Sequence, residues 1–115
     1  DLAPVAQPAT GCSVVMATPT TGASVAVARR GGTTASLDVM NKSFGISQMP
    51  GAGSTYWNLV HGCTPGEAAM DEEGLQTMRN LGRNMAWMLK CLEAGKEQGI
   101  SLPKTERGNQ TNFIR

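Results

Sequence analysis

Residues 22–45 read GASVAVARRGGTTASLDVMNKSFG, and this stretch decides the fold that the sequence predicts. Val25 and Val27 stand among small residues, a pattern typical of a strand covered on both faces of a sheet. The strand is followed by a turn of two arginines, two glycines and two threonines: Arg29, Arg30, Gly31, Gly32, Thr33 and Thr34. Glycines let the backbone approach a ligand closely, and hydroxyl side chains often cap helices. We therefore predict a strand, a turn suited to an anion or the edge of a ring, and a helix.

The helix after this turn is predicted from apolar residues at helical spacing, namely Leu37, Met40 and Phe44. Thr34 is its predicted N-cap, and Gly45 is its predicted left-handed stop. Residues 46–49 are predicted as a short strand. Residues 50–66 form a long glycine-rich loop with Tyr56, Trp57 and His61, and loops of that length are usually functional or disordered.

Length and composition indicate one domain, with a core at residues 12–100 and a C-terminal arm at residues 101–115. The net charge is +1 and the basic residues are scattered, which argues against a nucleic-acid partner. No apolar run reaches about 18 residues and no signal-peptide pattern opens the chain, so we expect a cytoplasmic protein without a membrane partner. Cys12, Cys63 and Cys91 are far apart with no CxxC pair, which indicates free thiols and no metal site.

A second buried strand is predicted at residues 12–17, CSVVMA, and its connection to the next strand is unusually short. Only residues 18–22, TPTTG, join the two runs. Parallel neighbours need a crossover of about a dozen residues, whereas about five residues allow only an antiparallel hairpin. Either the chain makes a real hairpin here, or residues are missing between Thr20 and Thr21. We expect the second.

The last predicted element is a long amphipathic helix that Asp71 caps and whose first turn holds Glu72 and Glu73. Either Gly95 or Gly99 is its predicted stop. Gly82 lies on or beside the apolar stripe, where we expect it to permit close packing on a sheet. The stripe consists of Leu75, Met78, Leu81, Met85, Met88, Leu89 and Leu92.

Five segments together carry a family resemblance: SVVMATPT, GASVAVARRGGTTASLDVMNKSF, GAGSTYWN, DEEGLQTMRNLGRNMAWMLKCLEAGK and a terminal TNFIR. From about Cys12 to Arg115 the chain resembles the C-terminal part of flavodoxin-fold, NAD(P)H-dependent FMN reductases. That group includes the multimeric flavodoxins and the iron–sulfur flavoproteins. The resemblance implies an α/β fold, a doubly wound parallel sheet with FMN at the carboxyl ends of its strands. This sheet is incomplete here, because the family's N-terminal strands and phosphate loop are absent, as is the cysteine motif of the iron–sulfur branch.

The resemblance also implies a cofactor site. By analogy, Thr18, Pro19 and Thr20 border the isoalloxazine ring, and the turn at residues 29–34 lines the polar edge of the ring. Tyr56 and Trp57 stack on a flavin or nicotinamide, often from a neighbouring subunit, which implies a homo-oligomer such as a dimer or tetramer. Backbone N–H groups and a guanidinium near the ring stabilise the negative charge of a reduced flavin.

The activity that the resemblance implies is electron transfer from NAD(P)H through FMN to a flavin, a quinone or a similar acceptor. No catalytic side-chain nucleophile is required. The alternative is a truncated flavodoxin-like scaffold or interaction module without a cofactor, which predicts a hairpin at residues 18–22 and no affinity for flavin. In that case the arginine turn is a solvated connection, and the aromatic pair is a packing anchor or an oligomer contact.

Overall fold

The computed structural model describes residues 12–17, as backbone, and residues 21–113. The chain is a mixed α/β protein, as the sequence predicts. Its elements are β1 (Cys12–Ala17), β2 (Gly22–Ala28), α1 (Thr33–Ile46), β3 (Leu59–His61), a one-turn 3-10 helix (Glu67–Met70) and α2 (Glu72–Glu97). The three strands within the described residues form one sheet in the order β1-β2-β3.

β1 and β2 pair in the antiparallel direction, from Cys12 opposite Val27 to Ala17 opposite Gly22. The expectation of a parallel sheet is therefore wrong for this pair. The physical reason is the one that the sequence raises: a connection this short can reverse the chain but cannot carry it back to the same end of the sheet. Residues 18–20, which make most of that connection, lie outside the described residues.

β2 and β3 are parallel, with Ala26 opposite Leu59 and Ala28 opposite His61. β3 lies inside the stretch predicted as a long loop. The strand predicted at residues 46–49 is wrong, because α1 continues through Ile46 and the chain then turns. A parallel crossover through a helix joins β2 to β3, which is the βαβ arrangement expected of α/β folds.

Both predicted ends of α1 are displaced in the structure. Gly32, with a φ of 90° and no side-chain hydrogen bond, is the N-cap in place of Thr34. Gly45 stays helical, and Gln48 instead takes the left-handed conformation with a φ of 58°. The N–H of Met49 donates to the Phe44 carbonyl at 2.9 Å and that of Gln48 to the Gly45 carbonyl at 3.1 Å. These two bonds satisfy the carbonyls of Phe44 and Gly45, so a glycine in the left-handed conformation at residue 45 is not needed to end the helix.

α2 follows its prediction more closely. The Asp71 carboxylate accepts a hydrogen bond from the Gly74 N–H at 2.9 Å, which confirms the cap. Gly99, with a φ of 83°, ends the helix, and Gly95 lies within it. Gly82 is exposed, and the space that a Cβ would occupy there is open, so the prediction that Gly82 permits close packing on the sheet is wrong. The close approach occurs at Gly74 instead, where a Cβ would lie 3.1 Å from the Cα of Val60.

The two helices cover opposite faces of the sheet. On one face Ser24 bonds to Asn41 of α1, and Phe44 covers Gly22. On the other face Ala23 packs in one cluster with Leu81 and Met85 of α2. Because successive strand residues point to opposite faces, β2 is the middle of a three-layer helix–sheet–helix arrangement. Neither described helix combines the length and hydropathy that a bilayer span requires.

Residues 101–113 have no regular secondary structure and are exposed. Thr105 Oγ1 donates to Gln48 Oε1 at 3.0 Å, which ties this segment to the end of α1. The sequence suggests an arm that docks by its tip at Phe113 and Ile114. Phe113 is 89 % exposed, so its side chain does not dock within this chain. Ile114 lies outside the described residues.

Candidate functional site

The carboxyl ends of β2 and β3 meet at one edge of the sheet. The Ala28 carbonyl oxygen accepts the Gly62 N–H at 3.2 Å and lies 3.1 Å from His61 Nδ1. A carbonyl can only accept, so Nδ1 carries the hydrogen in this contact. The sequence treats His61 as an ordinary loop residue. The structure places His61 beside Ala28. Ala28 directly precedes Arg29, the first residue of the arginine turn.

The arginine turn follows directly at this edge. Arg29 and Arg30 are exposed, and within the described residues neither guanidinium has an ion-pair partner. Thr33 is buried as the first residue of α1, and no side chain caps that helix end. The first N–H groups of a helix have no partner within the helix and carry partial positive charge. The edge therefore offers two cations and several backbone donors, which suits an anion or an electron-rich ring edge.

Two carboxylates order the chain just beyond this edge. Glu67 Oε2 accepts the Cys63 N–H at 2.7 Å and the Thr64 N–H at 3.0 Å, and these hydrogen bonds hold the pKa of Glu67 below its ordinary value. Asp71 accepts the Gly74 N–H through Oδ1 and, at 2.8 Å, the His61 N–H through Oδ2. These hydrogen bonds lower the pKa of Asp71, and the bond from the Gly74 N–H has the larger effect, followed by the bond from the His61 N–H.

We expect the free energy of unfolding to fall on acidification. Carboxylates whose pKa is lowered by folding stabilise the native state above their unfolded pKa, and this contribution is lost as the pH falls through the folded pKa. Urea unfolding, followed by circular dichroism from about pH 6 to about pH 3, measures how steeply the free energy of unfolding depends on pH. Asp71→Asn, which can still cap the helix, should flatten this dependence. Glu106→Gln, in the exposed C-terminal segment, is the matched control, and an equal flattening in that variant would contradict the assignment to Asp71.

The predicted cofactor residues do not all come together. Those of the turn at residues 29–34 gather at the carboxyl edge, and residues 18–20 lie outside the described residues. Tyr56 and Trp57 lie in the segment between α1 and β3, each with 60 % of its surface exposed. Trp57 lines a separate cleft to which none of residues 29–34 contributes. The aromatic pair therefore does not join the turn within one chain.

That cleft has a volume of about 410 Å³ and lies between α1 and residues 49–58. The sequence does not indicate this cleft, because its pattern predicts residues 50–66 as one irregular loop. The signal available in the sequence for this cleft is the position of Trp57 directly before the run Asn58-Leu59-Val60. Its lining residues are Leu37, Asn41, Phe44, Gly45, Met49, Gly51, Ala52, Gly53, Trp57 and Asn58.

In the part of the chain whose side chains the structure describes, the cysteines and acidic residues form no further centre. Cys63 and Cys91 are exposed free thiols. Within residues 21–113, no group of three or more His, Cys, Asp and Glu side chains is placed to hold a metal ion. The fold and edge thus define an α/β protein with a β-α-β-α unit and a positively charged turn. In comparisons with known proteins, no family model, curated protein or solved structure matches the chain.

Proposed function

We propose that this chain is a cytoplasmic, flavodoxin-like oxidoreductase that uses FMN to move electrons from NAD(P)H to a flavin, a quinone or a similar acceptor. The observation that carries the proposal is the position of residues 29–33. They join the carboxyl end of β2 to the N-terminus of α1, beside a parallel neighbour. In doubly wound α/β folds, ligands bind outside the carboxyl ends of the strands, where helix N-termini favour anions.

The residues at this edge fit the polar side of a flavin. Arg29 and Arg30 supply positive charge that no described acidic group neutralises, and Gly31 and Gly32 leave the backbone open to close approach. When bound, FMN supplies the two-electron chemistry. The role of the turn is to orient the ring and stabilise negative charge on its edge.

FMN titration tests the proposal directly. We expect FMN fluorescence to be quenched on binding, and the absorbance of the bound flavin to bleach when NADPH or NADH is added. Arg29→Ala/Arg30→Ala should weaken FMN binding by about tenfold or more, since bonds to charged groups contribute about 1.5–3 kcal/mol each. Arg79→Ala/Arg83→Ala, which removes two exposed arginines of α2, is the charge-matched control. A colourless protein that takes up no FMN would refute the proposal.

The same proposal includes self-association into a dimer or tetramer, because Tyr56 and Trp57 do not reach the turn of their own chain. A neighbouring subunit could bring the aromatic pair to the edge. Analytical ultracentrifugation with and without FMN measures the oligomeric state. A monomer under both conditions would remove this part of the proposal.

A second candidate function is a flavodoxin-like scaffold or interaction module without a cofactor. The antiparallel pairing of β1 and β2 favours it, because that alternative predicts a hairpin at residues 18–22. Affinity for FMN in the micromolar range would exclude the scaffold, whereas a folded protein with no affinity for flavin would support it.

A further inference from the structure

The cleft between α1 and residues 49–58 is distinct from the arginine turn. We propose that it binds an uncharged, planar aromatic compound of two or three fused rings that carries a carbonyl oxygen. The proposal does not depend on FMN binding at the carboxyl edge. The cleft has a volume of about 410 Å³, which falls within the range of small-molecule pockets, about 300–1,000 Å³.

The segment that carries Trp57 is held in place before any ligand arrives. Asn84 Nδ2 donates to the Gly53 carbonyl at 2.9 Å, and Asn80 Nδ2 donates to Thr55 Oγ1 at 3.1 Å. The Ala52 N–H donates to the Gly22 carbonyl at 2.7 Å, which ties the same segment to β2. A binding segment that is already ordered loses little conformational entropy on binding. The exposed indole of Trp57 is therefore presented by a supported backbone.

The walls of the cleft suit a flat ring. Trp57 supplies an exposed aromatic surface, and Met49, half-buried in the turn after α1, adds apolar surface. Leu37 and Phe44 of α1 line the cleft as buried apolar side chains. A planar ligand buries apolar area against these residues and stacks on the indole, and such aromatic contacts contribute beyond the buried area alone.

The polar groups of the cleft determine what the ring must carry. Ser24, with 0 % of its surface exposed, donates through Oγ to Asn41 Oδ1 at 2.6 Å. The Asn41 amide is thereby oriented, and its Nδ2 hydrogens remain available to a ligand acceptor such as a carbonyl oxygen. Among the described residues, no Asp, Glu, Lys or Arg lines the cleft. A neutral ligand is favoured over a phosphorylated one, since an unpaired charge is costly to desolvate.

Lumichrome, a neutral three-ring compound with two carbonyl groups, is a suitable probe. In a Trp87→Phe background Trp57 is the single tryptophan, and we expect lumichrome to quench its emission saturably. Binding to Trp57→Ala is followed by the fluorescence anisotropy of lumichrome itself. This variant should bind about tenfold more weakly or worse, because stacking on an aromatic residue contributes that much. Tyr56→Ala is the matched control, since Tyr56 is equally exposed and adjacent but does not line the cleft.

Gly45→Leu provides a test that does not risk the fold. Gly45 lines the cleft within α1, and the position of its missing Cβ is open, so leucine fills the cleft and improves helix propensity. We expect this variant to lose lumichrome binding and to keep its circular dichroism spectrum. Absence of saturable quenching, equal binding by Trp57→Ala, or loss of binding in Arg29→Ala/Arg30→Ala would each overturn the proposal. The last result would place the ring at the carboxyl edge.

Discussion

Leu81→Ala lowers the free energy of unfolding by about 2–5 kcal/mol, the range for truncating a buried leucine. Leu81 is 2 % exposed and packs in one cluster with Ala23 of β2, Ala52 and Met85. These neighbours come from different parts of the chain and include two alanines, which cannot extend to fill a cavity. A small domain is stabilised by only about 5–15 kcal/mol in total, so we expect a large shift of the urea midpoint measured by circular dichroism.

Leu92→Ala is the matched control for this experiment. It is the same substitution in the same helix, but Leu92 is 36 % exposed and lies outside the cluster. Leu92→Ala should lower the free energy of unfolding by less than about 1 kcal/mol, as substitutions at partly exposed positions usually do. Equal losses at the two leucines would mean that α2 does not pack on the sheet through Leu81.

Gly74→Ala and Gly82→Ala should change stability in opposite directions within one helix. A Cβ at Gly74 would lie 2.5 Å from Asp71 Oδ2 and 3.1 Å from the Val60 Cα. Because Val60 contributes backbone of β3 and Asp71 is the helix cap, neither can move freely. We expect Gly74→Ala to cost about 1–3 kcal/mol through overpacking. Gly82 is surrounded by open space, so alanine there should stabilise the protein by about 1 kcal/mol through helix propensity.

Urea unfolding of the two single variants and the double variant measures both effects. The two glycines are about two helical turns apart and share no described partner, so the changes should add within about 0.5 kcal/mol. A stabilising Gly74→Ala would show that the close contact between α2 and β3 is absent in solution.

Local sequence patterns correctly predicted the elements whose conformation depends mainly on residues close by in the sequence. The carboxylate of Asp71 followed by Glu72 and Glu73 predicted the start of α2, since a cap acts on N–H groups within the next turn. The strand at Gly22–Ala28 was predicted from its small and β-branched residues. Of the site, the turn at residues 29–34 could be anticipated at the end of that strand, because its composition is itself unusual.

Predictions failed where a distant contact decides the conformation. β3 is three residues long, too short for a recognisable pattern, and it forms because Leu59, Val60 and His61 find β2 as a parallel partner. The stop predicted at Gly45 is an exception with a local cause: α1 continues to Ile46, and the N–H groups of Gln48 and Met49 bond to the carbonyls of Gly45 and Phe44, with Gln48 in the left-handed conformation. Gly82 and Gly74 both interrupt a helical pattern, and only the position of β3 distinguishes an exposed glycine from one in close contact.

The amino-acid sequence by itself determined the two β1 and β2 runs, the long amphipathic α2 with its cap, and the chemistry of the arginine turn. All of these depend on residues within a few positions of one another. Tertiary structure alone decided the parallel pairing of β2 with β3, the meeting of His61 with Ala28, and the cleft that Trp57 lines. The pairing of β2 with β3 and the contact of His61 with Ala28 each join residues 33 positions apart. Long-range pairing depends on which surfaces can be buried together rather than on local preference.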